Sequence, residues 1–216
     1  MSDISSHLEF GREDLAIAWL EKDSSNIYEW VSGASPLHLA VKEGCAKVVE
    51  FILEQEIDPN VRTVGGQTTL HCACLIGQSR REDPLGLFSA IVCRLIERGV
   101  DPNLKDNLGN TALTFSAPYL PNFRSSLKIL ETLVSIGSDP TTRNTEGETI
   151  LHRLCKLEHH ILDDYLFLIE SGASVTDVNC AGRTPREVLQ ETTMNGSHLD
   201  YLTSEDYANL EEILRT

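Results

Sequence analysis

Residues Ser35–Ala40 read SPLHLA, and an echo, TTLHCA, begins at Thr68. The same slot is filled by TALT from Thr111, TILH from Thr149 and TPRE from Thr184, so the block returns at steps of 33, 43, 38 and 35 residues. One unit of about 33 residues with variable insertions is the signature of a repeat architecture, in which each supersecondary unit buries its apolar face against its neighbours. Other features keep the phase. DPN stands at Asp58 and Asp101 and DPT at Asp139, and a glycine precedes each block by two residues at Gly33, Gly66, Gly109, Gly147 and Gly182.

Each unit has a physical reading. Ser35-Pro36 and Thr184-Pro185 put a hydroxyl at the N-cap and proline at the first helical position, where its missing N–H is not needed. Thr68, Thr111 and Thr149 occupy the same cap position, and Thr184 with Glu187 forms a capping box. A second helix follows in each unit, with apolar residues three or four apart. These are Val48, Val49, Ile52 and Leu53; Ile91, Val92, Leu95 and Ile96; Leu127, Leu130, Leu133 and Val134; and Leu162, Leu166 and Ile169. The helices run into Gly99, Gly137 and Gly172, suited to a left-handed C-terminal residue. Glu56 fills that slot in the first full unit, where a non-glycine residue costs about 1 kcal/mol if it keeps the conformation. Between units, DPNVRTVGGQ, DPNLKDNLGN and DPTTRNTEGE suit an extended finger with a tight turn.

GASPLHLAVKEG at Gly33–Gly44 and GQTTLHCACLIG at Gly66–Gly77 resemble the ankyrin repeat, whose pattern runs G-x-T-P-L-H-x-A-x-x-x-G, a second helix, and a G-A-D-P/V-N ending. The resemblance implies an all-α fold: an ankyrin-repeat solenoid of stacked helix-turn-helix units with β-hairpin-like fingers. We place degenerate capping helices at 1–32, with Leu15, Trp19 and Leu20 turned inward, about four repeats at 33–183, and a degenerate capping repeat at 184–216. The long steps put insertions at 77–90 and 116–126, between the two helices of a unit. Two units depart from the pattern: Thr114 stands in place of the histidine, and Arg186 opens the divergence of the last one.

The recurring His38, His71 and His152, with HCAC at His71–Cys74, raise the question of metal or acid/base chemistry. The resemblance implies instead that each imidazole ties its own helix start to the neighbouring finger. Repeats stacked about 10 Å apart also hold histidines too far apart to share a zinc ion at about 2 Å from each. Cys72 and Cys74, two apart on a helix, point to different sides. There is no P-loop, dinucleotide fingerprint, nucleophile elbow or H-E-x-x-H. No catalytic residue, metal site or cofactor is expected. A cysteine- or zinc-dependent enzyme is the alternative of another class.

With 33 acids against 18 bases the net charge is −15, which opposes direct contact with nucleic acid or an anionic membrane. Residues 1–34 and 184–216 each carry seven acids and two bases, so much of the excess lies at the ends of the chain, where a stack presents solvated faces. The opening MSDISSHLEFGRED has neither a basic nor an apolar signal region, and the six cysteines contain no C-x-x-C pair. We expect an intracellular protein, cytoplasmic or nuclear, with reduced thiols, monomeric on its own and partnered by another protein.

Two surfaces are candidates for that partner. The finger residues are Arg62, Val64 and Gln67; Lys105, Asn107, Leu108 and Asn110; Arg143, Asn144, Glu146 and Glu148; and Asn179 and Arg183. Among them Arg62, Lys105, Arg143 and Arg183 suggest a basic stripe for an acidic partner segment. The insertions offer Leu85, Leu87, Phe88, Tyr119, Leu120 and Phe123 as neighbouring apolar tips. The expected function is a non-enzymatic protein–protein interaction module, adaptor or scaffold. A transcription-factor inhibitor or co-regulator of the IκB-like kind is the nearest alternative.

Overall fold

A computed structural model describes residues 4–76, 84–118, 126–157, 160–194 and 204–215. The chain divides into two compact units, Met1–Asn107 and Leu108–Thr216. The first runs α1 (Ile4–Glu9), α2 (Glu13–Lys22), a 3-10 turn (Ser24–Tyr28), α3 (Pro36–Lys42), α4 (Ala46–Glu54), α5 (Thr69–Ala73) and α6 (Pro84–Glu97). The second runs α7 (Ala112–Ser116), α8 (Ser126–Ser135), α9 (Ile150–Leu154), α10 (Leu162–Glu170), α11 (Pro185–Met194) and α12 (Ser204–Ile213).

Each unit has two helical layers. In the first, α1, α3 and α5 pack in sequence in one layer, and α2, α4 and α6 in the other. In the second, α7, α9 and α11 form one layer and α8, α10 and α12 the other. Among the described residues the chain is helical without strands. The fingers contribute only isolated bridges, Val31 to Ala34 and Arg62 to Thr68. No helix of the described residues is long and apolar enough to cross a membrane.

The core follows the helical period. Val48, Val49, Ile52 and Leu53 of α4 are buried, as are Ile129, Leu130 and Leu133 of α8. In α6 the buried set is Phe88, Ile91, Val92 and Leu95. This corrects the reading of 77–90 as one inter-helix loop: Leu85, Leu87 and Phe88 belong to the second helix, and Phe88, fully buried, begins its apolar stripe. Tyr119, Leu120 and Phe123 lie outside the described residues.

Three further expectations shift by register. In α2, Ala16 and Leu20 face inward while Leu15 is 51% exposed. In α10, Tyr165 and Leu168 are buried and Leu166 is 43% exposed, so the stripe is displaced from the expected Leu162–Leu166–Ile169 face. At the C-terminal end of α6, Ile96 is exposed. Elsewhere the helix ends behave as read. Gly99, Gly137 and Gly172 have φ of 82°, 96° and 102°, and Glu56 adopts the same left-handed conformation at φ 57°.

Candidate functional site

The fingers are fixed from below by the helix caps. The Ser35 N–H donates to His38 Nδ1 at 3.3 Å, while the Ser35 side chain accepts from the N–H of His38, completing a capping box. Because Nδ1 accepts, the ring proton sits on Nε2, which donates to the carbonyls of Val61 at 2.9 Å and Gln67 at 3.2 Å in the next finger. Thr149 and His152 repeat the device, with His152 Nε2 donating to the Arg183 carbonyl at 2.9 Å. Thr68 and His71 form the same box, its backbone bond 3.2 Å long. Burial holds the His38 and His152 imidazoles below the ordinary histidine range, which keeps them neutral and in this tautomer.

The two divergent units cap differently. At Thr111 the cap oxygen accepts from the Thr114 N–H, and the Thr114 hydroxyl turns back to the Thr111 carbonyl at 3.1 Å within its own turn. At Thr184 the N–H donates to Glu187 Oε2 at 2.8 Å, a bond that holds the Glu187 carboxyl below its usual range.

Above the caps, each finger is a tight turn locked to its neighbour. Asn144 N–H bonds the Glu148 carbonyl at 3.0 Å and Gly147 N–H the Asn144 carbonyl at 3.0 Å; Asn179, Gly182 and Arg183 repeat this pair at 2.9 Å each. Backbone bonds then run from finger to finger. In the first unit Asn107 N–H donates to the Gly65 carbonyl at 3.0 Å. In the second, Thr145 N–H donates to Leu108 at 2.9 Å and Cys180 N–H to Glu146 at 2.8 Å. These approaches leave no room for a side chain: a Cβ built on Gly109 or Gly147 would stand 2.8 Å from the next finger's Thr145 or Cys180 nitrogen.

Several of the expected finger residues do structural work in the finger ladder. Arg62 Nη1 donates to the Lys105 carbonyl at 2.8 Å, and Arg143 Nη1 donates to the Val178 carbonyl at 2.7 Å while pairing with Asp177 at 2.8 Å. The two arginines hold the same finger position and clamp the following finger by the same carbonyl. Arg183 pairs with Glu191. The suggested basic stripe is therefore largely committed within the fold. Asn107 Nδ2 holds the Val64 carbonyl at 3.0 Å, and Asn144 Oδ1 accepts from the N–H groups of Glu146 and Glu148 at 2.9 Å each. The Gln67 N–H donates to Thr63 Oγ1 at 3.1 Å. What the tips present outward is apolar in two places, with Val64 78% and Leu108 65% exposed, and acidic at Glu146.

The second unit also contains a groove of about 590 Å³ between its last two fingers and the turns of α9 and α11. Lys156 stands on its floor, paired with the buried Glu148 and 3.9 Å from Glu146 Oε2. The exposed Cys180 and the Arg183–Glu191 pair complete the wall. Sequence reasoning missed Lys156, Cys180 and Glu191 as a set, because the groove joins a finger to helices from two repeats.

The thiols beside the recurring histidines are not arranged for chemistry. Cys72 and Cys74 are buried, and burial pushes the Cys72 thiol up to about 12 and the Cys74 thiol higher, so neither is a thiolate near neutral pH. Among the described residues no three His, Cys, Asp or Glu side chains gather as a metal-binding cluster.

Family models for ankyrin repeats match residues 8–80, as an array of three copies, and residues 65–107 as a single repeat. Residues 8–107 belong to the ankyrin-repeat family. An ankyrin repeat protein of Acanthamoeba polyphaga mimivirus is 27% identical over 190 residues, covering 85% of this chain and 23% of the viral protein. The intracellular phospholipase A2 of Caenorhabditis elegans is 28% identical over 68% of this chain and 14% of its own. The E3 ubiquitin-protein ligase KEG of Arabidopsis thaliana is 27% identical over 74% of this chain and 9% of its own. This ankyrin-repeat chain thus spans less than a quarter of the length of each of these relatives. Ankyrin repeats are in general protein–protein interaction modules.

Proposed function

We propose that this chain is a non-enzymatic protein-binding module, an adaptor whose contact surfaces are the finger tips of each unit. The observation that carries the reading is the combination of a locked finger backbone with exposed apolar tips. Ladder bonds, arginine clamps and histidine ties fix the fingers before a partner arrives, so docking orders few side chains and loses little entropy. Val64 in the first unit and Leu108 in the second are left outward on their fingers, 78% and 65% exposed. The inert buried thiols and the neutral, bonded histidines support a binding role over a cysteine- or zinc-dependent reaction.

The test is affinity for a captured partner. Replacing Val64 and Leu108 together by serine is expected to weaken binding at least tenfold, the loss of about 1.4 kcal/mol, with the unfolding midpoint held within a few degrees. Glu170→Ala, on the outer layer of the second unit, is expected to leave affinity unchanged. Equal affinity for the serine double variant and wild type would refute the tip assignment.

A further inference from the structure

In the first unit α2 and α6 both pack against α4, and the two junctions are built differently. Glu56 and Gly99 hold the same left-handed slot after α4 and α6, so Phe51 and Gln55 match Arg94 and Arg98. Across α4–α6 both arginines reach back. Arg94 pairs with Glu50 at 3.0 Å, and Arg98 donates to the Leu53 carbonyl. Across α2–α4 the matching side chains make no such bridge among the described residues. Phe51 has no polar group to offer, and the Gln55 amide nitrogen lies 3.5 Å from the Phe51 carbonyl one turn back. The polar tie between these two helices is at their other ends, where the Lys47 N–H donates to Glu13 Oε2 at 2.9 Å.

A cleft of about 770 Å³ lies between the C-terminal ends of α2 and α4 and the 3-10 turn. Of the apolar residues lining it, Leu20 and Ile27 are buried, Phe51 is half-buried, and Tyr28 is 66% exposed. The volume is in the range of sites that take a peptide side chain or a small ligand. An exposed tyrosine beside an apolar recess is also the kind of group that dominates protein contacts.

The charges around the cleft select what fits it. Glu21 lines it, Glu29 follows Tyr28, and Glu54 and Glu56 flank Gln55. All four are exposed, and none takes an ion-pair partner among the described residues. Asp23 is occupied, its carboxylate accepting from the Ser25 N–H and hydroxyl at 2.8 Å each. Against these acids, Lys22 is the one base in residues 20–29 and 51–56. A second copy of this chain, at −15, would bring further negative charge to the site. We propose that the cleft takes a segment of a partner protein in which a bulky apolar side chain is flanked by lysine or arginine. The apolar side chain packs against Tyr28 and Phe51, and the flanking cations meet Glu21 and the carboxylates beside Gln55. This surface is additional to the finger tips.

The test uses the full chain and a rhodamine-labelled, C-amidated peptide with a leucine–phenylalanine–leucine centre between lysines, followed by fluorescence anisotropy. Versions with glutamate for lysine, or serine for the apolar centre, are the comparisons. The first peptide is expected to bind saturably, and both comparisons about tenfold more weakly or worse. Tyr28→Ser and Glu21→Lys, both at exposed positions, are each expected to weaken binding about tenfold without moving the unfolding midpoint. Gln55→Arg, which gives α4 the side chain that α6 carries in that slot, is expected to weaken it by refilling the cleft. Glu170→Lys, a charge reversal at an exposed position of the second unit, is expected to leave it unchanged. Absence of saturable binding, equal binding of the serine-centred peptide, or equal loss from the two reversals would each overturn the proposal. So would self-association of the wild type that Tyr28→Ser abolishes, which would give the cleft to a second copy. Val64→Ser with Leu108→Ser is expected to leave peptide affinity unchanged, so that failure of the cleft and failure of the finger tips are read separately.

Discussion

Replacing Gly147 by alanine tests the locked fingers at one atom. Gly147 sits at φ 73°, so an alanine there pays the left-handed penalty of roughly 1–2 kcal/mol before any contact is counted. Its Cβ would also stand 2.8 Å from the Cys180 nitrogen, whose N–H donates to the Glu146 carbonyl at 2.8 Å. Relieving that clash means moving the last finger and stretching the ladder bond, a further loss of about 0.5–1.5 kcal/mol. The control lies in the same unit. Gly182 has φ 75° and, among the described residues, nothing within 4 Å of its Cβ position, so Gly182→Ala carries the conformational term without the clash. We therefore expect Gly147→Ala to destabilise by about 2–3 kcal/mol and Gly182→Ala by about 1–2 kcal/mol, so that the close approach accounts for the difference. Urea unfolding of both variants at constant m gives the two values. A Gly147→Ala midpoint equal to or above that of Gly182→Ala would refute the finger-to-finger packing.

Three further outcomes follow from the same structure. Glu56→Gly relieves a non-glycine residue held at φ 57° and is expected to raise stability by about 1 kcal/mol, measured by the same unfolding curve. Phe88→Ala is expected to remove about 3–5 kcal/mol, because a fully buried ring leaves a cavity; a loss under about 1 kcal/mol would return Phe88 to a surface loop. Stability is also expected to fall on acidification through the histidine range. His38 and His152 have folded values below an unfolded value near 6.5. Between the folded and unfolded values the unfolded chain binds more protons, so the stability these neutral rings contribute is whole above about pH 6.5 and is lost as pH falls toward the folded values. Unfolding midpoints at several pH values, repeated on His152→Gln, should show a shallower acid-side slope in the variant.

The repeat period was legible because it is carried by residues whose role is local. Hydroxyl caps, the proline after Ser35 and Thr184, and left-handed positions are decided by one turn of backbone, and even the departure at Glu56 could be read from its slot. The helix faces were less legible where apolar residues run together. LDDYLFLI offers two plausible stripes, and packing of α10 against α8 and α12 selects the one containing Tyr165 and Leu168. The same ambiguity at Leu15–Leu20 put Leu15 inward when Ala16 is the buried residue. Basic finger residues read as free charge because their acceptors are main-chain carbonyls about 35 to 43 residues away, to which the sequence gives no clue. The groove was invisible for the same reason: Lys156, Cys180 and Glu191 share no motif and meet only through the fold.

The central claim, that the finger side of the repeats meets a partner protein, is tested most directly by site-specific photo-crosslinking. A photoreactive amino acid is placed singly at Val64, Leu108 and Glu146 on the finger tips, and at Ser135 and Glu170 on the outer helical layer, all of them exposed positions. The account predicts that the captured partner is joined covalently from the three tip positions and from neither outer position. Crosslinks confined to Ser135 and Glu170 would contradict it.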